Sequence, residues 1–79
     1  MPNVCEWKGY TFFFYANEGE PLEPCHIHVR KGGHEAKFWI DPDVSVAASY
    51  GFSSKELREL RSVIQRQDAE IRRAWNEFF

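Results

Sequence analysis

The sequence predicts an α+β domain, with a small antiparallel sheet of about three strands and a C-terminal helix packed on one face of the sheet. Two observations lead to this fold class. Roughly the first half of the chain alternates short segments rich in aromatic and β-branched residues with segments rich in Gly, Pro and acidic residues, as strands and turns do. The last third has apolar residues at helical spacing and contains neither Gly nor Pro between residues 54 and 78. The 79 residues are predicted to form a single domain, residues 1-79.

The strand segments are separated by recognisable turns. The predicted strands are GYTFFFYA (residues 9–16), CHIHVRK (25–31) and HEAKFWI (34–40). Residues 17–24, NEGEPLEP, are predicted to be a loop, and Gly32-Gly33 is a two-residue signal for a β-hairpin. Pro42 ends the last of these strands because it has no N–H to donate. The segment VSVAAS (44–49) fits either a short strand or a helical turn.

The C-terminal helix has a clear start. Ser53 and Glu56 have the S-x-x-E spacing of a capping box, so the helix is predicted to begin at Ser54. Polar residues interrupt the apolar stripe at Gln67, where the helix is predicted to kink. The stripe that is predicted to face the core consists of Leu57, Leu60, Ile64, Ile71, Trp75 and Phe78.

The hairpin register follows from its turn. With Gly32 and Gly33 as the turn residues, His26 faces Trp39 and His28 faces Lys37. Because side chains alternate along a strand, the hairpin has two distinct faces. The first face, predicted to pack against the helix, consists of Ile27, Val29, Ala36, Phe38 and Ile40. The second face, predicted to be open to solvent, consists of His26, His28, Arg30, Glu35, Lys37 and Trp39.

The second face has side chains suited to RNA chemistry. His26 and His28 lie on alternate residues, about 7 Å apart at their Cα atoms, so that two imidazoles would flank one phosphodiester. One imidazole would remove a proton from a ribose 2′-hydroxyl while the other protonates the leaving 5′-oxygen. Arg30 and Lys37 would stabilise charge on the phosphate oxygens, and Trp39 would stack a base. We expect neither imidazole to have a core role, so that either can be removed without unfolding the domain.

Two other interpretations of the histidines stay open. An H-x-H pair is also compatible with the ordinary polar face of a hairpin. A zinc site needs three or four converging ligands, whereas His34 and Cys25 have the opposite parity to the histidine pair. A third ligand from Glu18, Glu20 or Asp41 would be needed to complete such a site. The sequence therefore predicts no metal and no cofactor.

The composition limits which cellular compartment and which binding partners are expected. The formal net charge of −2 argues against broad coating of nucleic acid but allows a local basic patch. Cys5 and Cys25 are too few for a disulfide framework. The opening MPNVCEWKGY lacks the apolar region of a signal peptide, and TFFFYA is too short to span a bilayer. We expect a cytoplasmic protein with reduced thiols and no membrane association.

Several separated motifs, in order, resemble one family. The segments GYTFFFYANEGE, PCHIHVRKGGHEAKFWIDP, GFSSKELREL and AWNEFF resemble the small bacterial proteins of the domain of unknown function 4160 family, which often contain a P-P-H-I-H-V segment. The motif histidines fall on His26 and His28, and Cys25 stands where the family usually has a second proline. The resemblance implies a cytoplasmic bacterial protein encoded beside a second small protein, in an arrangement similar to a toxin–antitoxin pair with this chain as the toxin. A cysteine ligand at position 25 is therefore not a family requirement.

The functional hypotheses follow from the second face and from the resemblance. The first is a toxin that acts on RNA or on translation through this face, with a cognate antitoxin as its protein partner and with metal-independent ribonuclease activity as one mechanism. The alternative is a non-enzymatic binding module that grips a protein or a nucleic acid, and a metal-binding protein is the third choice. Removing one imidazole distinguishes the first two, because an enzyme would lose turnover and a binding module would lose affinity.

Overall fold

A computed structural model of the protein describes residues 3–18 and 23–79. Its sheet consists of β1 (Asn3–Trp7), β2 (Tyr10–Phe13), β3 (His26–Lys31), β4 (His34–Trp39) and β5 (Ser45–Tyr50). Every strand pairs antiparallel with the next along the chain, in the order β1-β2-β3-β4-β5. Two helices follow, α1 (Ser54–Arg66) and α2 (Asp68–Phe78). The α+β class with an antiparallel sheet and C-terminal helices is confirmed.

The number of strands predicted from the sequence, about three, was wrong, because the sheet has five. The first missed strand, β1, forms a tight hairpin with β2 through Lys8 and Gly9, whose φ angles of 48° and 83° are both positive. Two consecutive positive φ angles give the turn whose twist matches that of paired strands. The second, β5, is the segment that fitted either a strand or a helical turn, and its pairing with β4 makes it a strand.

The helical region is divided at the residue where the sequence predicted a kink. Gln67 ends α1 and precedes α2, so the single predicted helix is corrected to two. The capping box is confirmed: Ser53 Oγ accepts a hydrogen bond from the Glu56 N–H at 3.1 Å, and Glu56 Oε1 accepts one from the Ser53 N–H at 3.0 Å. Neither helix has the length and apolar character that a bilayer crossing needs, within residues 3–18 and 23–79.

The main core lies between the first face of the sheet and the two helices. The predicted burial of the first face is confirmed. The buried side chains of this layer include Phe12, Phe14, Ile27, Val29, Phe38, Ile40, Leu60, Val63, Ile64, Ile71 and Trp75. Phe78, which was predicted to belong to the core stripe, is 41% exposed because the stripe reaches the surface in the last turn of α2.

Three side chains attach the helices to the sheet layer. Tyr10 Oη donates to Glu56 Oε2 at 2.7 Å, which joins β2 to the first turn of α1. Arg61 Nε donates to the Val44 carbonyl at 2.8 Å, just before β5. Arg72 on α2 contacts Asp41, which follows β4, at 2.7 Å. These bonds hold the helices in one position across the first face.

Candidate functional site

The β3–β4 hairpin has the register that the sequence predicted. His26 pairs with Trp39, His28 with Lys37, and the turn lies between Lys31 and His34. His26 and His28 therefore share the second face, and their ring centroids lie 5.2 Å apart with the rings nearly perpendicular. The two motif histidines are brought together as predicted.

Both imidazoles are nevertheless buried, which corrects the expectation of a solvent-exposed pair. His26 is 0% exposed and His28 is 7% exposed. Trp39 of β4 and Trp75 of α2 pack on His26, with ring centroids 5.6 and 4.9 Å away. These two tryptophans give His26 a packing role that the hairpin sequence alone did not show.

A second pair of rings covers His28. Phe13 of β2 stacks on His28 with centroids 5.6 Å apart, and Tyr15 approaches its edge at 4.6 Å. Phe13 pairs directly with His28 across the two strands and is fully buried. These contacts were not predicted, because the hairpin residues by themselves do not show what packs on them from β2. The run of three phenylalanines in TFFFYA was the available signal, since alternation sends Phe13 to the face opposite Phe12 and Phe14.

His26 has a defined hydrogen bond. Its Nδ1 lies 2.9 Å from the Pro24 carbonyl oxygen. A carbonyl oxygen only accepts, so Nδ1 carries the proton and donates it. The Glu23 carboxylate stands 4.0 Å from the same nitrogen. The ring is thereby fixed in orientation at the start of β3.

Glu35 organises the other end of the histidine pair. Tyr15 Oη donates to the carboxylate, lying 2.9 Å from each of its oxygens. His28 Nδ1 is 3.9 Å from Glu35 Oε2, which is too long for a hydrogen bond. A tyrosine that follows β2, a carboxylate of β4 and an imidazole of β3 thus form one polar cluster.

The other predicted site residues of the second face are engaged with neighbours. Lys37 Nζ lies 3.2 Å from Glu23 Oε1 and 4.3 Å from the Trp39 ring centroid. The Arg30 guanidinium lies over the Phe13 ring at 4.9 Å. Both cations therefore stay on the second face, close to the histidines, but each already has a partner that a phosphate would have to compete with.

An open depression of ≈ 270 Å³ lies on this face beside β5. Its lining includes His28, Glu35, Lys37, Ala48 and Tyr50. Tyr50 is 76% exposed, more than the other large apolar or aromatic side chains of the described residues that reach solvent. Tyr50 was not among the predicted site residues, although it follows a run without a single charged residue. His26, Arg30 and Trp39 do not line the depression.

The described part of the chain contains no set of ligands that would support the metal hypothesis. Residues 3–18 and 23–79 contain no group of three His, Cys, Asp or Glu side chains placed to hold a metal ion. Of the suggested third ligands, Asp41 is paired with Arg72, while Glu20 and the side chain of Glu18 lie outside what the structure describes. The absence of a metal stays a prediction.

The thiols of Cys25, which precedes His26, and of Cys5 in β1 both have raised pKa values. Burial raises the pKa of the Cys25 thiol to about 11, with a smaller opposing effect from Arg72. Burial, with a contribution from Glu70, also raises the pKa of Cys5. Neither cysteine has the lowered pKa that a nucleophilic or metal-binding thiolate requires.

Comparison with protein families matches residues 9–76 to the domain of unknown function DUF4160. The chain belongs to this family. The match includes β2 to β5, all of α1 and most of α2, together with both motif histidines, whereas β1 precedes it. No curated protein and no solved structure matches the chain.

Proposed function

We propose that the protein is the toxin-like member of a bacterial two-protein module, located in the cytoplasm, and that it acts on RNA or on the translation machinery by binding rather than by cleavage. The observation that carries the binding mechanism is the burial of both motif histidines. An acid–base reaction on a phosphodiester needs both imidazoles within hydrogen-bonding reach of the substrate. His26 is covered by Trp39 and Trp75 and has no surface to offer a substrate.

The burial also supplies a structural role for the family motif. His26 joins the start of β3 to α2 through Trp75, and His28 joins β3 to β2 through Phe13. The two histidines of the H-x-H pair therefore stabilise the second face by packing. This role does not require both rings to contact a ligand.

The accessible part of the second face has the character of a recognition surface. Tyr50 stands at the edge of the depression, and Glu35 and Lys37 contribute one charge of each sign. Exposed aromatic side chains with few rotatable bonds are common at the centre of interfaces, where they give a large contact area at a low entropic cost. The same surface is available to a target or to the neutralising partner protein.

A second candidate is an enzyme that uses a single histidine. His28 reaches the depression, and the Glu35 carboxylate 3.9 Å from its Nδ1 would stabilise an imidazolium formed during proton transfer. This arrangement would leave His26 as a packing residue and make His28 the general base.

A growth assay separates the two mechanisms. Expression of the wild-type chain alone in bacteria is expected to slow growth, and co-expression of the protein encoded by the adjacent gene is expected to restore it. Tyr50→Ala should relieve the growth defect because it removes the exposed ring of the depression. His28→Gln should leave the defect largely in place. Phe78→Ala is the matched control, since it removes another exposed ring, in α2, far from the depression in sequence.

The outcomes are distinct. Relief by His28→Gln at an unchanged melting temperature, with Tyr50→Ala still toxic, would favour the single-histidine enzyme over the binding module. Normal growth on expression of the wild-type protein would overturn the toxin proposal.

A further inference from the structure

The outer edge of β5 is unusual for a chain of this composition. Of the 79 residues 28% are charged, yet residues 44–54 contain no Asp, Glu, Lys or Arg. All six residues of β5 are exposed, including Val46 at 43% and Tyr50. β5 is the last strand of the sheet and pairs with β4 on one side. Within the part of the chain that the structure describes, no strand pairs with its other side, which presents a row of backbone donors and acceptors next to uncharged side chains.

Exposed sheet edges are usually protected against pairing with other strands. Common protections are charged side chains, proline, bulges, or a covering helix or loop. The opposite edge strand, β1, carries Glu6 and is followed directly by Lys8. β5 has neither a charge nor a proline, and its pairing with β4 shows one irregularity, between Val46 and Ala48. That bulge increases the local twist of the edge, and the remaining five residues stay in register with β4.

We infer that β5 pairs with the β5 strand of a second copy of this chain. A two-fold axis perpendicular to the sheet would run the two strands antiparallel, in the isologous arrangement typical of dimers. Charge favours a second copy as the partner of this edge, because two β5 strands meet without any like-charge contact. A strand with charged side chains would find no counter-charge along residues 44–54. The small side chains of Ser45, Ala47, Ala48 and Ser49 also let two backbones approach closely.

Pairing of this kind would enlarge the candidate site. A two-fold axis perpendicular to the sheet keeps equivalent faces on the same side. The second face of one copy therefore continues into the second face of the other, and the helices of both copies lie on the opposite side. Tyr50, Ala48 and Ser45 pair with the second-face residues Glu35, Lys37 and Trp39 of β4, so they project from that face. Tyr50 of the second copy would therefore stand beside Ser45 or Ala48 and form an outer wall for the depression.

Sedimentation velocity of the purified full-length chain, from low micromolar to submillimolar concentration, tests this interface. The wild-type protein should convert from monomer to dimer as its concentration rises. Val46→Lys should raise the dimer dissociation constant by about tenfold or more, because pairing would bring an ammonium from each copy to the interface. Val46 does not line the depression, so the variant leaves that surface intact. Asn3→Lys adds the same charge on the opposite edge strand and should dimerise like the wild type.

Equal melting temperatures of the dilute proteins show that each variant is folded. A wild-type chain that stays monomeric at every concentration would overturn the inference and leave β5 to a strand from a different protein. A dimer that survives Val46→Lys would also overturn it, because the contact would then lie elsewhere. The measurement does not depend on growth inhibition, so the dimer and the toxin proposal can fail independently.

Discussion

At the scale of single residues, the burial of His26 has a measurable energetic consequence. His26→Ala should lower the free energy of unfolding by about 2–4 kcal/mol, since it leaves a cavity between Trp39 and Trp75 and removes the donor to the Pro24 carbonyl. Urea denaturation followed by tryptophan fluorescence measures this loss. The expectation drawn from the hairpin alone, that either imidazole can be removed without unfolding the domain, is therefore revised for His26.

His34 is the matched control for that experiment. It is the third histidine of the chain, it is exposed, and one edge-on ring contact joins it to Phe52. His34→Ala should cost about 1 kcal/mol or less. Equal losses for the two variants would mean that the packing around His26 contributes no more than a surface contact.

The Cys25 thiol gives a second prediction at this scale. A rise of its pKa from 9.0 to about 11 lowers the thiolate fraction at pH 8 roughly a hundredfold. Iodoacetamide should therefore alkylate Cys25 much more slowly in the folded protein than in urea, and mass spectrometry of the digested protein reports the rate. Because the folded-state pKa is raised, the neutral thiol favours the folded state below about pH 9, and this contribution disappears as the pH rises through 11. Alkylation at equal rates in both states would contradict the burial of this thiol.

At the scale of secondary-structure elements, the link between β5 and α1 depends on one glycine. Gly51 has a φ of 95°, and a Cβ at this position would overlap the His34 ring. Gly51→Ala should lower the free energy of unfolding by about 1–3 kcal/mol, because it combines this overlap with a left-handed backbone conformation. Gly33→Ala should have a much smaller effect, since a Cβ there meets nothing within 4 Å.

A double variant separates the two causes at Gly51. Combining Gly51→Ala with His34→Ala removes the overlap but keeps the backbone strain, so part of the loss should be recovered. Full recovery would show that the backbone conformation costs nothing, and no recovery would show that the His34 ring moves aside freely.

Elements defined by local signals were predictable from the sequence. The Gly32-Gly33 turn, the capping box at Ser53 and the break at Gln67 each depend on residues within a few positions of one another. The β1 strand was missed because Lys8 occupies a positive φ that is seldom adopted by residues other than Gly, Asn and Asp. The hairpin faces were also correct, because alternation fixes them once the register is known.

The exposure of the candidate site was not predictable in the same way. It depends on Phe13 of β2, on Tyr15, which follows β2, and on Trp75 of α2, all outside the hairpin in sequence. A hairpin considered by itself has one buried face and one wet face. The contacts that cover His26 and His28 on the second face come from residues outside the hairpin, so the hairpin sequence does not show them.

At the scale of the whole molecule, Arg72 connects the end of the sheet to α2. It lies 2.7 Å from Asp41 and 3.0 Å from Asp68, and it lowers the pKa of Asp41 through the hydrogen bond between them. Arg72→Met should destabilise the protein by about 1 kcal/mol or less, because the pair is partly exposed and screened by solvent. It should also speed amide hydrogen exchange in α2, which has no side-chain hydrogen bond at its N-cap.

Arg73→Met is the control for this prediction, because Arg73 is an exposed neighbour of Arg72 on the same helix. Exchange measured by mass spectrometry should change in α2 for the Arg72 variant alone. Equal exchange in the two variants would show that packing of Ile71 and Trp75 holds α2 without help from this pair.

The strand order has a consequence for how the protein forms during synthesis. Each strand pairs with the next one along the chain, so each pair can form once its second strand has left the ribosome. The two-residue turns of the β1–β2 and β3–β4 hairpins close quickly. The cover over His26 is different, because Trp75 belongs to α2, which follows all five strands along the chain. A nascent chain that has emitted its whole sheet therefore still exposes this imidazole. The second face therefore reaches its final form only after α2, which follows all five strands, has also been made.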